Sequence, residues 1–254
     1  MPRFLKQFGY GFFYLALLGI VVGIFYLVLR PNETCFDGIQ NQGETGIDCG
    51  EICGIDCELK YIKPMIISNP RILKSDGLVS FIAQIKNPNL SYGSDKFEYK
   101  INFYDAQNKL LNSLNRMSFI YAGETKNIIE VAVKISDFVS RGEAVIDQAT
   151  INWKPALEWQ IPNLKTADIK ALIEGSTLKI SGTITNSSNF LISKIIISAV
   201  LKDGWGTSVG VSKTELTNLR PFQQSNFQIF SPVSPSSQKN IDLEATQILV
   251  EARK

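Results

Sequence analysis

Four cysteines, Cys35, Cys49, Cys53 and Cys57, fall within 23 residues, and none follows. Thiols grouped this closely either oxidise in pairs or hold a metal as thiolates. Zinc sites favour two close C-x2-C pairs, whereas the gaps here are 13, 3 and 3 residues. An even cysteine count in an exported segment points instead to two disulfides, which can pair in three ways. Between the first two cysteines lie Asp37, Asn41, Glu44 and Asp48. Four oxygen-bearing side chains in a short loop suit a hard cation and are candidate calcium ligands, although the spacing is not that of an EF-hand. In a glycine-rich loop the same side chains also cap turns, which is the competing reading.

Other chemistry is sparse. The chain has no histidine, the commonest general base and metal ligand. It has no phosphate-binding glycine loop, no nucleophile elbow and no dinucleotide fingerprint. The net charge is +2, without a basic stripe, which argues against a nucleic-acid partner. These features predict a protein that is not an enzyme. Of the three tryptophans, Trp153 and Trp159 read as core or linker packing. Trp205 stands in Asp203-Gly204-Trp205-Gly206, a hairpin-turn pattern, and is a candidate partner contact. Residues 231–237, rich in proline and serine, read as a connector.

The element that decides where this chemistry operates is the uncharged run Tyr10–Leu29. At about 1.5 Å per residue it reaches roughly 30 Å, the thickness of a bilayer's hydrocarbon core. A core helix of a soluble protein would show a polar face, and this run is apolar all round. A cleaved signal peptide would be shorter and end in small residues, whereas here the run ends Val28-Leu29-Arg30-Pro31. Pro31-Asn32-Glu33-Thr34 before Cys35 is no lipidation site, and the glutamate of a pilin helix is absent. Arg3 and Lys6 precede the run; Arg30 and then Glu33, Asp37, Glu44, Asp48, Glu51 and Asp56 follow. That asymmetry predicts a single-pass anchor in the cell membrane, with residues 1–9 cytoplasmic, 10–29 spanning and the rest extracytoplasmic. Gly19 and Gly23 form a small-xxx-small pair, a candidate face for a homodimer through the helix.

Beyond a cysteine-rich neck at 30–60, the chain alternates. Val79, Phe81, Ala83 and Ile85 interleave with polar residues, as do Phe97, Tyr99, Ile101 and Phe103. Period two with β-branched and aromatic residues marks half-buried strands. The pattern recurs about 99 residues later: Ile85-Lys86-Asn87 matches Ile184-Thr185-Asn186, and Tyr121-Ala122-Gly123-Glu124 matches Arg220-Pro221-Phe222-Gln223. A period this long means tandem domains rather than a solenoid. The expected fold is mainly β: a transmembrane helix, a disulfide-stapled neck, and two tandem immunoglobulin-like β-sandwiches at 61–157 and 158–254. The join near Lys154-Pro155-Ala156-Leu157 is short and proline-bearing, which restricts how the domains swing.

Two resemblances add to this. The segment from Cys35 to Cys57 resembles a short repeat of exported bacterial and archaeal surface proteins, C-x-D-G-x-x-N-x-x-E-x-x-x-D-C-G-G-x-C. Glu51 stands where that repeat has its second glycine. Each β copy is similar, over roughly 75 residues, to exported FxLYD-type domains and to the desiccation-related LEA-14-like β-sandwich. Phe103-Tyr104-Asp105 keeps the motif's tyrosine and aspartate, and Leu201-Lys202-Asp203 loses the tyrosine; Ala83 replaces the glycine found at Gly182. The resemblance implies a fold and no catalytic residues.

The expected function is non-catalytic binding or scaffolding in a cell-envelope assembly, with other envelope proteins as partners. A surface adhesin or glycan-binding module and an envelope stress protein of the desiccation type are the alternatives. Two sandwiches end to end would reach about 80–100 Å at roughly 3.3 Å per strand residue, which counts against adhesion across a thick wall.

Overall fold

A segment apolar on every side satisfies its backbone only within itself, and it forms a single helix, α1, over Arg3–Leu29. The helix starts earlier than the uncharged run, because nothing in Lys6-Gln7-Phe8 interrupts it. The stretch Gln7–Leu29 is long and apolar enough to cross a membrane, and each of its side chains is exposed. The computed structural model describes residues 3–29, 34–54, 56–75, 77–135, 138–233, 238 and 240–254. Arg30 and Glu33 of the charge asymmetry, and residues 234–237 of the connector, lie outside these.

The chain divides into two compact units, Met1–Ile62 and Lys63–Lys254. In the first, the cysteines pair first with third and second with fourth, Cys35–Cys53 and Cys49–Cys57. No thiolate remains for zinc. A 3-10 turn, Glu51–Cys53, and a one-turn helix α2, Cys57–Lys60, are the neck's only helical pieces among the described residues. Asp56 caps α2 by accepting from the Glu58 amide at 3.0 Å. The turn at Gly50-Glu51 explains why glutamate replaces a glycine. Gly50 takes φ 115°, and a Cβ there would stand 2.6 Å from Thr45 Oγ1, whereas Glu51 is not among the residues of positive φ.

The second unit holds twelve strands: β1 Ile66–Ser75, β2 Leu78–Lys86, β3 Tyr92–Tyr104, β4 Leu110–Ile120, β5 Thr125–Lys134, β6 Arg141–Pro155, β7 Leu164–Glu174, β8 Thr177–Asn186, β9 Ile192–Lys202, β10 Ser208–Leu219, β11 Gln224–Pro232 and β12 Asp242–Arg253. The first six form two antiparallel sheets ordered β1-β2-β5 and β4-β3-β6; the second six repeat that order as β7-β8-β11 and β10-β9-β12. Crossing from one sheet to the other between β2 and β3, and again between β4 and β5, gives each half the Greek-key path of an immunoglobulin-like sandwich.

Each half buries its alternating residues. Val79, Phe81, Ala83 and Ile85 meet Phe97, Tyr99, Ile101 and Phe103 in one core; Leu178, Ile180 and Ile184 meet Ile195, Ile197, Ala199 and Leu201 in the other. A third cluster lies between the halves, where Ile129 meets Val200 and Val211, flanked by Leu73, Ile82, Val131 and Leu249. The outer face of β1-β2-β5 therefore packs on the outer face of β10-β9-β12.

This packing corrects the end-to-end reach expected from sequence. Lys126, early in β5, meets Glu251, late in β12, while the Ile129 carbonyl accepts from Lys213 Nζ at 3.1 Å midway along β10. The sandwiches lie side by side with like ends aligned, so the body is about one strand length long, roughly 40 Å for 12 residues of β10. Apolar outer faces on both halves favour this over a string, because a string would leave them in water.

Candidate functional site

In the neck, the carboxylates of Asp37, Glu44 and Asp48 are engaged with the loop itself, whereas Asn41 donates through Nδ2 and its buried Oδ1 has no hydrogen-bond partner among the described residues. Asp37 accepts from the Thr34 and Ile39 amides and from Asn41 Nδ2, the last at 2.9 Å. The Asn41 bond, followed by the backbone bonds, holds the Asp37 carboxyl below its ordinary value. Asp48 accepts from the Gly38 amide at 3.0 Å and pairs with Lys60 at 3.3 Å. Glu44, buried, accepts from the Asp48 amide at 2.9 Å. Its other oxygen lies 3.0 Å from Cys53 Sγ, a sulfur bonded to Cys35 and without a hydrogen to give. Among the described residues, the single cluster of acidic and cysteine ligand atoms within 4.8 Å of one another is Cys35, Glu44 and Cys53. Asp37, Glu44 and Asp48 do not form one, and their geometry is that of turn capping.

In the body, one buried amide organises each half. Asn87 is fully buried at the end of β2; its Nδ2 donates to the carbonyls of Tyr92 and Tyr121 at 2.6 and 2.9 Å, and its Oδ1 accepts from the Asn89 amide. Asn186, at the end of β8, donates to the carbonyls of Phe190, Leu219 and Arg220 and accepts from the Ser188 amide. Each ties a crossing loop to the turn before the next strand. A buried amide satisfied on both sides specifies that loop conformation. The turns it holds agree as well: Glu124 accepts from the Tyr121 amide and Gln223 from the Arg220 amide, at 2.7 and 3.0 Å.

The end of the body where the chain enters at Lys63 carries a latch between the halves. Trp159, on the linker, stacks on Tyr121 at 5.1 Å and meets Phe119 edge-on at 6.2 Å. Tyr121 donates its hydroxyl to the Ala252 carbonyl at 2.9 Å. Lys126, almost fully buried, pairs with Glu251 at 2.9 Å and sits 3.9 Å over the Phe119 ring. Burial raises the Tyr121 hydroxyl and the Glu124 carboxyl above their ordinary values. Trp153 and Trp159 thus take the packing roles expected of them, Trp153 against the first core. Lys126 and Glu251 carry no sequence signal, since they are far apart in the chain and lie in ordinary strand patterns.

At the opposite end a cavity of about 290 Å³ opens between the halves, lined chiefly by Leu73, Leu78, Val131, Val209, Val211 and Ile241 with serine hydroxyls at its margin. Among the described residues that line it, none is charged. At this end also stands Trp205, 91% exposed at the tip of the β9–β10 turn. Asp203 builds that tip by accepting from the Trp205 and Thr207 amides at 3.0 and 2.8 Å. Asp105 does the same for Gln107 and Lys109 in the β3–β4 turn. The turn is shared; the indole is particular to the second half. On α1, Gly19 and Gly23 lie one turn apart, with nothing within 4 Å of where a Cβ would stand.

The chain matches no protein-family model. No curated protein sequence matches it. Among solved structures it is similar to red sea bream transglutaminase, at 11% identity and a TM-score of 0.25, covering 77% of this chain and 30% of that one. A likeness of that size carries no argument about fold or activity.

Proposed function

We propose that this chain is a non-catalytic, membrane-anchored binding or scaffolding protein, with two tandem copies of one sandwich held outside the membrane as part of an envelope assembly. The observation that supports it is the pairing of a helix long and apolar enough to span a bilayer with a β body whose halves are latched together. A latched body presents its loops in one fixed arrangement, which suits holding other components rather than closing around a substrate. Gly19 and Gly23 offer the helix face on which a second copy would pack.

Cross-linking in intact cells, followed by affinity capture and mass spectrometry, tests this. A reproducible envelope protein at near-equal stoichiometry is the expected outcome; recovery of only this chain would sink the assembly reading. In the same experiment Gly19→Leu with Gly23→Leu is expected to remove self-cross-links formed through the helix. The adhesin reading is favoured by one observation, the exposure of Trp205 at the end opposite chain entry. Loss of cell-surface or glycan binding in Trp205→Ala, with the envelope partner retained, would move the function to that loop.

A further inference from the structure

We propose that the chain-entry end of the double sandwich docks on an anionic lipid surface, that of the bilayer holding α1. This rests on the reading of α1 as a membrane anchor. Five apolar side chains on four loops crown that end: Leu90, Leu157, Ile161, Leu191 and Phe222, the first two and the last exposed by 82, 86 and 71%. They occupy the β2–β3, β6–β7, β8–β9 and β10–β11 connections, which strand register brings to one end of the body. Leu90 and Leu157 are neighbours, since the Ala156 amide donates to the Ser91 carbonyl at 2.8 Å.

Charge separates this end from the other. The entry-end segments (61–66, 86–92, 120–125, 153–164, 186–192, 219–224 and 253–254) carry six cations, Lys63, Lys86, Lys154, Arg220, Arg253 and Lys254, against Glu124 and Glu158, a balance of 6 − 2 = +4. Among the described residues, the far-end segments (75, 77–78, 104–110, 134–135, 138–141, 174–177, 202–208, 232–233, 238 and 240–242) carry four cations and four carboxylates, 4 − 4 = 0. Apolar tips ringed by lysine and arginine match a headgroup region, where the tips enter the acyl boundary and the cations meet lipid phosphates.

Phe222 supplies an independent argument. It sits in the left-handed region at φ 59°, where its counterpart in the first half is Gly123 at φ 67°. A bulky residue there is strained, and glycine would relieve it. An aromatic kept at a strained, exposed turn, away from either core, points to a role outside the fold. Finally, Lys63, the first residue of the body, lies at this end, its amide donating to Asn89 Oδ1 at 2.8 Å.

The test uses the full chain reconstituted in vesicles of equimolar phosphatidylcholine and phosphatidylglycerol. A nitroxide is carried on a keto amino acid placed in turn at positions 20, 157, 205 and 222. Labels at 157 and 222 are expected to show several-fold lower collision with an aqueous nickel chelate than the label at 205. Equal accessibility at 157, 205 and 222 with position 20 protected would overturn docking while leaving the anchor intact. Access at position 20 would overturn the anchor, and docking with it. Protection at 157 and 222 that requires added cell extract means that a protein covers this end, and also overturns the proposal. Phe222→Gly, which relaxes the turn, is expected to restore nickel access at 157; unchanged protection there counts against an insertion that involves Phe222.

Discussion

β3 buries Phe97, Tyr99, Ile101 and Phe103 and leaves Lys96, Glu98 and Lys100 to water. Its counterpart β9 buries Ile195, Ile197, Ala199 and Leu201 and also, on its other face, Ser198 and Val200. The two strands hold the same place in the same sheet order, yet one faces solvent and the other faces the neighbouring sandwich. The halves share what makes a sandwich, the alternating core and the asparagine-tied turns, and differ where each meets something outside itself.

The shared part gives the largest expected effects. Asn87→Ala and Asn186→Ala each strand two or more buried carbonyls and an amide, at a cost of about 3 kcal/mol. Urea unfolding of the full chain measures this, and the two losses should be similar. A loss below about 1 kcal/mol at either site would mean that water replaces the amide and the halves are not held alike.

The next effect lies where the cores diverge. Gly182 pairs with Phe227, and a Cβ at 182 would stand 2.7 Å from that ring; in the first half Ala83 pairs with Ile128. The ring needs the glycine, and the smaller isoleucine admits an alanine. Gly182→Ala should cost about 2 kcal/mol through overpacking. Adding Phe227→Ile should recover part of it, a coupling that a double-mutant cycle reads directly. Strict additivity of the two substitutions would break the comparison.

Most of this frame was legible in the sequence. Period two in Val79–Ile85 and Phe97–Phe103, and the 99-residue recurrence that aligns Asn87 with Asn186, identified strands, turns and the repeated pattern. The run Ile195–Leu201, apolar but for Ser198, was the trace of a strand covered on both faces, but a run of that kind does not say what covers the second face. The side-by-side packing was therefore out of reach, and so was the Lys126–Glu251 pair that latches it. In the neck, spacing excluded neither of the other two pairings, because which sulfurs meet depends on turns set by Gly46 and Gly50. The candidate calcium ligands were legible as an acidic loop; that Asp37, Glu44 and Asp48 cap it depends on where the backbone amides point.

The turns at 123 and 222 take the same left-handed conformation with different residues, glycine in one half and phenylalanine in the other. Phe222→Gly should stabilise the fold by about 1 kcal/mol, because it removes a left-handed phenylalanine. Gly123→Phe should destabilise by at least as much, since a Cβ at 123 would also meet Leu90 at 3.0 Å. Thermal melts of both variants check this. A Phe222→Gly protein no more stable than the parent would show that the ring contributes to folding, and would weaken its assignment to an outside surface.

The smallest effect concerns Glu124 and Gln223, which accept the same turn bond with a carboxyl in one half and an amide in the other. Burial raises the Glu124 carboxyl above 4.5, with Glu251 adding to the rise and the Tyr121 amide and Lys126 opposing it. A raised folded value means that the native state holds the proton more tightly than the unfolded chain does. The carboxyl's contribution is then complete below about pH 4.5, where both states are protonated, and is lost as pH climbs through the raised value. Glu124→Gln keeps the acceptor without the charge, so it should melt above the parent at pH 7, with the gap closing as pH falls toward 4.5. A gap that stays constant with pH would mean that Glu124 is solvated as a carboxylate, and the two turns would then be alike in charge environment as well as in hydrogen bonds.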